Sequence, residues 1–186
     1  MIKRTVMALA VWASAATAQS ALPFDLGGSY TLTNQYGETR TETAPDGRVQ
    51  LVFFGYVNCP DICTAAFPLM ADITTALEAK GHDITPIMIT IAPDQDTVDT
   101  MQAPLAKWHP DFIGLTGDTA ALHDAYEAFS VDIKPLFQDP EYGWIYAHGS
   151  FIHLLDADGK VMTLIPPIIG ADQAVDIALR YLEPAS

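Results

Sequence analysis

The chain has 186 residues, 49% of them hydrophobic, with 23 acidic against 9 basic side chains, a net charge of −14 at pH 7 and only two cysteines. So acidic a surface excludes nucleic acid as a partner, because holding phosphates takes clustered Lys and Arg; it suits cationic partners or plain solubility. Length and apolar content fit one domain with a substantial core, and no repeat, low-complexity tract or linker interrupts it.

Met1–Arg4 carries two positive charges, Thr5–Ala16 is mostly apolar, and Ala16-Thr17-Ala18 forms a small-x-small site before Gln19. This pattern predicts an export signal over residues 1–18 and a mature domain over 19–186. The apolar stretch is short for a membrane span of about 20 residues. No charge intervenes before Asp25, however, so an uncleaved anchor is the second reading. No cysteine follows the stretch, which argues against a lipoprotein. Removing residues 1–18 takes away Lys3 and Arg4 but no acid, and −14 becomes −16. Export points to a periplasmic location, where a dithiol tends toward disulfide unless a reductant or a metal protects it.

Residues 29–33 and 39–43, around Gln35-Tyr36-Gly37, read as a hairpin. Leu51–Tyr56 and Pro86–Ile91 are continuous apolar runs, as expected of strands buried on both faces. Ile152–Leu155 and Val161–Leu164 flank Asp156-Ala157-Asp158-Gly159, a second hairpin signal. Helices fit Ala65–Lys80 with Gly81 as its stop, Thr97–Trp108, Thr119–Phe129 and Ala171–Leu182. Two neighbouring parallel strands joined through a helix, then a hairpin and a terminal helix, make an α/β chain in thioredoxin-like order: a central mixed sheet flanked by helices, with an N-terminal β-hairpin extension.

Both thiols lie in "FFGYVNCPDIC" at 53–63, as the Cys-x-x-x-Cys pair Cys59 and Cys63. The spacing is one residue wider than that of disulfide oxidoreductases, so the pair could carry electrons, hold a soft metal or staple a turn. Pro60 biases Cys59 toward extended backbone. Pro68 fits only the first turn of a helix without a kink, which puts the helix start near Ala65 and the cysteines on the loop before it. There the helix dipole favours thiolate, the form needed by a nucleophile and a metal ligand alike.

Copper(I) or zinc usually takes a third donor beyond two thiolates. His82 follows Gly81 in a turn, His109 precedes Pro110, and His123 lies on a polar helix face, all structural or solvent positions. His153 alternates with Phe151 and Leu155 and lines a sheet face. His148, in "YAHGS" ahead of the strand at 152–155, is the histidine that a thioredoxin-like sheet brings beside the loop after the first core strand. Met70, Met88, Met101 and Met162 are spaced as core filler.

"FFGYVNCPDIC", "DFIGLTG" at 111–117, His148 seven residues before Leu155 and "DADG", and "GGSYTLTNQYGE" ahead of the first core strand together resemble the Sco/SenC family of copper-handling proteins, from about Phe24 to Leu182. The resemblance implies a thioredoxin-like fold and a copper site made by Cys59, Cys63 and His148. It implies a role in assembling the binuclear copper centre of cytochrome c oxidase, at the membrane, in the periplasm or the mitochondrial intermembrane space. The implied cargo is a copper ion, Cu(I) and, through the nitrogen and an open position, also Cu(II). The implied partners are the oxidase's copper-centre subunit or another copper chaperone, and a thiol reductant.

Two positions depart from the family: Ala147 stands where an Asp usually precedes the histidine, and Ala92 where an Asp before the proline is common. Neither removes a ligand, but loss of the first carboxylate is expected to alter how His148 is oriented. A thiol-disulfide reductase with Cys59 and Cys63 as its redox pair is the alternative. Against it, such enzymes carry a cis-proline before the strand facing the thiols, and residues 144–153 contain no proline.

Overall fold

The structure, a computed structural model, describes residue 22 and residues 25–183, so the predicted export signal lies outside the described residues. In chain order the elements are β1 (Thr31–Asn34), β2 (Thr39–Thr41), β3 (Val49–Gly55), α1 (Cys63–Glu78), β4 (Ile84–Thr90), α2 (Val98–Leu105), β5 (Ile113–Thr116), α3 (Thr119–Ala128), β6 (Ile133–Asp139), β7 (Gly143–His148), β8 (Ile152–Leu155), β9 (Val161–Ile165) and α4 (Ala171–Leu182). Seven strands form one mixed sheet in the order β2-β1-β5-β4-β3-β8-β9, and β6 and β7 form a separate two-stranded sheet.

β3 and β4 pair in parallel over Val49–Gly55 and Ile84–Thr90, and every residue of β4 is buried. Both strands lie at the centre of the sheet under helices on either face, which is why neither shows a polar alternation. β8 runs antiparallel to β3, with Val52 opposite His153, so β8 starts beside the end of β3. α4 rests Ala174, Val175 and Ala178 against the core and turns Asp172 and Asp176 outward. This is the thioredoxin-like fold, and the β1–β2 hairpin extends its sheet through β5. The Asn34 side chain organises that hairpin turn by accepting from the N–H groups of Tyr36 and Glu38, both at 2.9 Å.

Helix α1 starts at Cys63, not at Ala65, and takes Pro68 into its second turn. The proline is tolerated because the carbonyl it leaves without a donor belongs to exposed Thr64, where water serves instead. Helix α2 is shorter than its apolar spacing suggested; it starts after Thr97, which forms a reciprocal cap with Thr100, and carries Pro104 in its last turn. Strand β5 and the β6–β7 hairpin have no counterpart among the predicted elements. β5 is four residues long and contains Gly114, while β6 is exposed over most of its length and holds Pro135, features that hide a strand from pattern reading. No helix among the described residues is long and apolar enough to cross a membrane.

Candidate metal centre

β3 delivers the chain to the site at Gly55, and Tyr56–Ile62 turn back into α1. The Cys59 N–H donates to the Tyr56 carbonyl at 3.3 Å, and the Asp61 carbonyl accepts from the Thr64 N–H (2.9 Å) and hydroxyl (2.6 Å). Ile62, at the helix cap, makes no side-chain bond to the first turn; the Thr64 N–H turns back to the Asp61 carbonyl and those of Ala65 and Ala66 to the Ile62 carbonyl. Cys63 is thus the first helical residue and packs its sulfur onto the end of β3. A Cβ on Gly55 would fall 3.1 Å from Cys63 Sγ and 2.6 Å from Phe53 Cε1, so glycine is required for the strand to floor the site.

His148 closes β7 opposite Ile133. Its Nδ1 lies 2.8 Å from the Gly149 carbonyl, and a carbonyl only accepts, so Nδ1 carries the proton and Nε2 holds the free lone pair. The ring stands edge-on to Phe53 at 5.9 Å. Donor atoms of Cys59, Cys63 and His148 all lie within 4.8 Å of one another, and among the described residues no other group of His, Cys, Asp and Glu converges in this way. Cys59 is 8% and Cys63 1% exposed, while His148 is half-buried.

The two thiols are electrostatically unequal. Cys59 is held well below the usual thiol range because the Cys63 thiol donates to its sulfur, with His148 and the backbone N–H groups of Asp61 and Cys63 adding to the effect against the cost of burial. Cys63 is pushed up, first by burial and then by the negative charge it would share with Cys59. The Cys63 thiol thus keeps its proton more firmly than Cys59, and a metal ion held by both sulfurs would have to displace it. Two sulfurs and one nitrogen are a soft set suited to copper(I).

The remaining histidines serve elsewhere. His82 faces Glu183 at 3.9 Å, His109 faces Glu78 at 3.8 Å, and exposed His123 faces Glu127 at 3.8 Å. His153 is buried in β8 with Nδ1 3.3 Å from the Val52 carbonyl, and burial lowers its pKa to about 4. Met70, Met88 and Met101 are fully buried and Met162 packs against the core, as filler does.

Two residues behind the site escaped sequence reading. Asp96 is 2% exposed, and its carboxylate accepts from the Val57 N–H at 3.1 Å and the Thr90 hydroxyl at 2.7 Å. Burial raises its pKa to about 6, Cys59 adds to the rise, and the two bonds oppose it. Asp96 thereby ties the loop after β4 to the turn that carries Cys59; in the sequence it looks like an ordinary acid ahead of a helix. Tyr56 is fully buried with its hydroxyl unpartnered among the described residues, edge-on to Tyr146 at 5.7 Å.

The alanine at 147 does not disturb His148 in the expected way. Neighbouring strand residues face opposite sides, so Ala147, opposite Lys134, points away from the site, and the Gly149 carbonyl orients the imidazole instead. Ala92 is 2% exposed, so an Asp at that position would be a buried carboxylate in need of hydrogen-bond partners.

The fold and the three donors define a thioredoxin-like protein with a dithiol–imidazole centre. The SCO1/SenC family matches residues 18–183, and the chain belongs to that family. It is 35% identical over 138 residues to an SCO2-like protein of Rickettsia conorii, covering 74% of this chain and 67% of that one. Arabidopsis thaliana ScoI with copper bound superposes with a TM-score of 0.78 at 22% identity, over 84% of this chain and 98% of that chain. Bradyrhizobium japonicum ScoI with copper bound does so with a TM-score of 0.73 at 27% identity, over 84% and 99%.

Proposed function

We propose that this chain is a copper metallochaperone of the periplasm, exported by residues 1–18, that loads a copper ion on Cys59, Cys63 and His148 and delivers it to the binuclear copper centre of cytochrome c oxidase. The observation that carries this reading is the convergence of the three donors at one end of the sheet. Membership of a family with copper-bound relatives supports it.

In this reading Cys59, already thiolate, engages copper(I) first. Cys63 then loses its proton to solvent as its sulfur joins, and Nε2 of His148 completes the set, already aimed by the Nδ1–Gly149 bond. Release reverses the order, with thiolates of the recipient replacing the imidazole before the sulfurs. Oxidation of the thiolate–thiol pair to a disulfide gives up two electrons and one proton and abolishes binding, so a thiol reductant must restore the dithiol. Titrating copper(I) into the reduced protein tests the proposal. One equivalent should bind tightly, and both Cys59→Ser and His148→Ala should weaken it; unchanged affinity in both variants would overturn the assignment.

The inequality of the thiols favours a second reading, a thiol-disulfide reductase. Cys59 thiolate would attack a target disulfide to form a mixed disulfide. Cys63, after losing its proton, would then release the reduced target and leave Cys59–Cys63 oxidised. Burial of Cys59 counts against it, since such a nucleophile must be exposed. Catalysed reduction of insulin disulfides that persists in His148→Ala and ceases in Cys59→Ser would favour the enzyme.

A further inference from the structure

Beside the metal centre, on the far side of Gly149, lies a half-open cavity of about 190 Å³. Its walls are apolar, with Phe129, Val131, Phe151 and Leu164 prominent, and the His153 ring lines it. That ring is 6% exposed and is clamped edge-on between Phe129 (5.3 Å) and Phe54 (5.8 Å). Its Nδ1 faces the Val52 carbonyl, which only accepts, so Nδ1 carries the proton. Nε2 is then a bare acceptor, and no group among the described residues donates to it. At neutral pH the ring is uncharged, because burial holds its pKa near 4, so it accepts and does not attract anions.

Size and chemistry narrow the occupant. An apolar cavity of about 150 Å³ takes benzene, so this one has room for one substituted ring or an indole. Flat aromatic walls favour a planar guest, and the ring acceptor of His153, with the Ser130 hydroxyl also at the lining, suits one with an N–H or O–H at its rim. We propose that the cavity is a binding site for a small aromatic group bearing one hydrogen-bond donor, of the phenol or indole kind, anchored on Nε2 of His153. Gly149 lines the cavity and its carbonyl also accepts from Nδ1 of His148, so the cavity borders the candidate metal centre through one shared residue. Free aromatic molecules and the Tyr or Trp side chain of a docked polypeptide share this chemistry.

Amide NMR titration of the reduced, metal-free protein tests the site. Phenol and indole represent the free molecules, N-acetyl-tyrosinamide and N-acetyl-tryptophanamide the side chains, and benzene the ring without a donor. Saturable shifts at Val131, Gly149, Phe151 and Leu164 are expected from at least one donor-bearing series, and whichever series binds identifies the source. Phenol should bind about five- to tenfold more tightly than benzene, the ratio one hydrogen bond supplies, and His153→Phe should erase that ratio while leaving benzene binding in place. Leu164→Phe, which fills the space, should abolish all of these shifts in a protein whose spectrum remains dispersed. Absence of saturable shifts with every probe, or a phenol preference that survives His153→Phe, overturns the proposal.

Discussion

The dithiol turn and the histidine arm supply one candidate site from opposite kinds of structure. Cys59 and Cys63 lie where β3 meets α1, both strand and helix deep in the core, with Gly55 as floor and Asp96 bracing the turn. His148 arrives on the β6–β7 hairpin, which pairs with no strand of the main sheet and exposes Leu136, Phe137 and Trp144. Buried contacts set local stability, so the sulfur half is rigid and the nitrogen half is the softer one. For the proposed carrier this division would be useful, with the sulfurs gripping the ion and the imidazole the ligand easiest to exchange.

If that contrast is right, Cys63→Ser is the most damaging change, lowering copper(I) affinity by more than about 100-fold, since even outer-shell changes cost 10–100-fold. Competition titration against a copper(I) chelator measures it. A loss no greater than that of His148→Ala would erase the distinction between the halves.

The acid–base behaviour of the two regions gives the next effect. Asp96 behind the turn has its folded pKa raised to about 6 by burial. The folded state therefore holds more protons than the unfolded one between roughly pH 4 and 6, and stability falls as pH rises through that window. His153, in β8 beyond the hairpin, has its folded pKa lowered to about 4. Below its unfolded value of about 6.5 the unfolded state binds the extra proton, so its contribution grows as pH rises from 4 to 6.5. Each amounts to at most about 3–3.5 kcal/mol, and they oppose. Urea unfolding of the metal-free protein across pH 4–7 should show a steeper rise in Asp96→Asn, and a fall relative to wild type in His153→Phe.

His148→Ala should lower copper affinity by about 10–100-fold, in the range of a single supporting ligand change, and shift unfolding free energy by no more than about 0.5 kcal/mol, as for a surface position. A larger stability loss would show that the arm is as firmly built in as the turn. Smallest of all is Ala147→Asp. Its side chain faces away from the sulfurs, so copper affinity should change by less than about threefold, an expectation resting on the exposed-pair range. A larger gain would mean the hairpin turns its other face to the site.

Much of this was legible beforehand where local rules coincide with the fold. β3 and β4 announced themselves as unbroken apolar runs, α4 as a clean amphipathic stripe, and the 156–159 turn through its acids and glycine. The three residues that converge at the candidate site were legible as a possible set, two from adjacency and the third from its place before β8. The hairpin that carries His148 was not, because an exposed strand with a proline has no period to detect. The helix start was misjudged by two residues because the proline was weighed without the exposed carbonyl that lets it fit.

The chain alone determined composition, the buried central strands β3 and β4, the hairpin turn before β9 and which residues could act as soft ligands, because apolar periodicity and turn chemistry are written in near neighbours. Tertiary structure decided everything that depends on residues far apart in the chain. Burial beside Cys59 turned Asp96 from a helix-leading acid into the brace of the dithiol turn. The Gly149 carbonyl, not a carboxylate at 147, took over the aim of His148. The unequal proton affinities of Cys59 and Cys63 came from their packing against each other and the floor of β3. Desolvation and hydrogen-bond geometry are properties of the assembled site, and no local pattern encodes them.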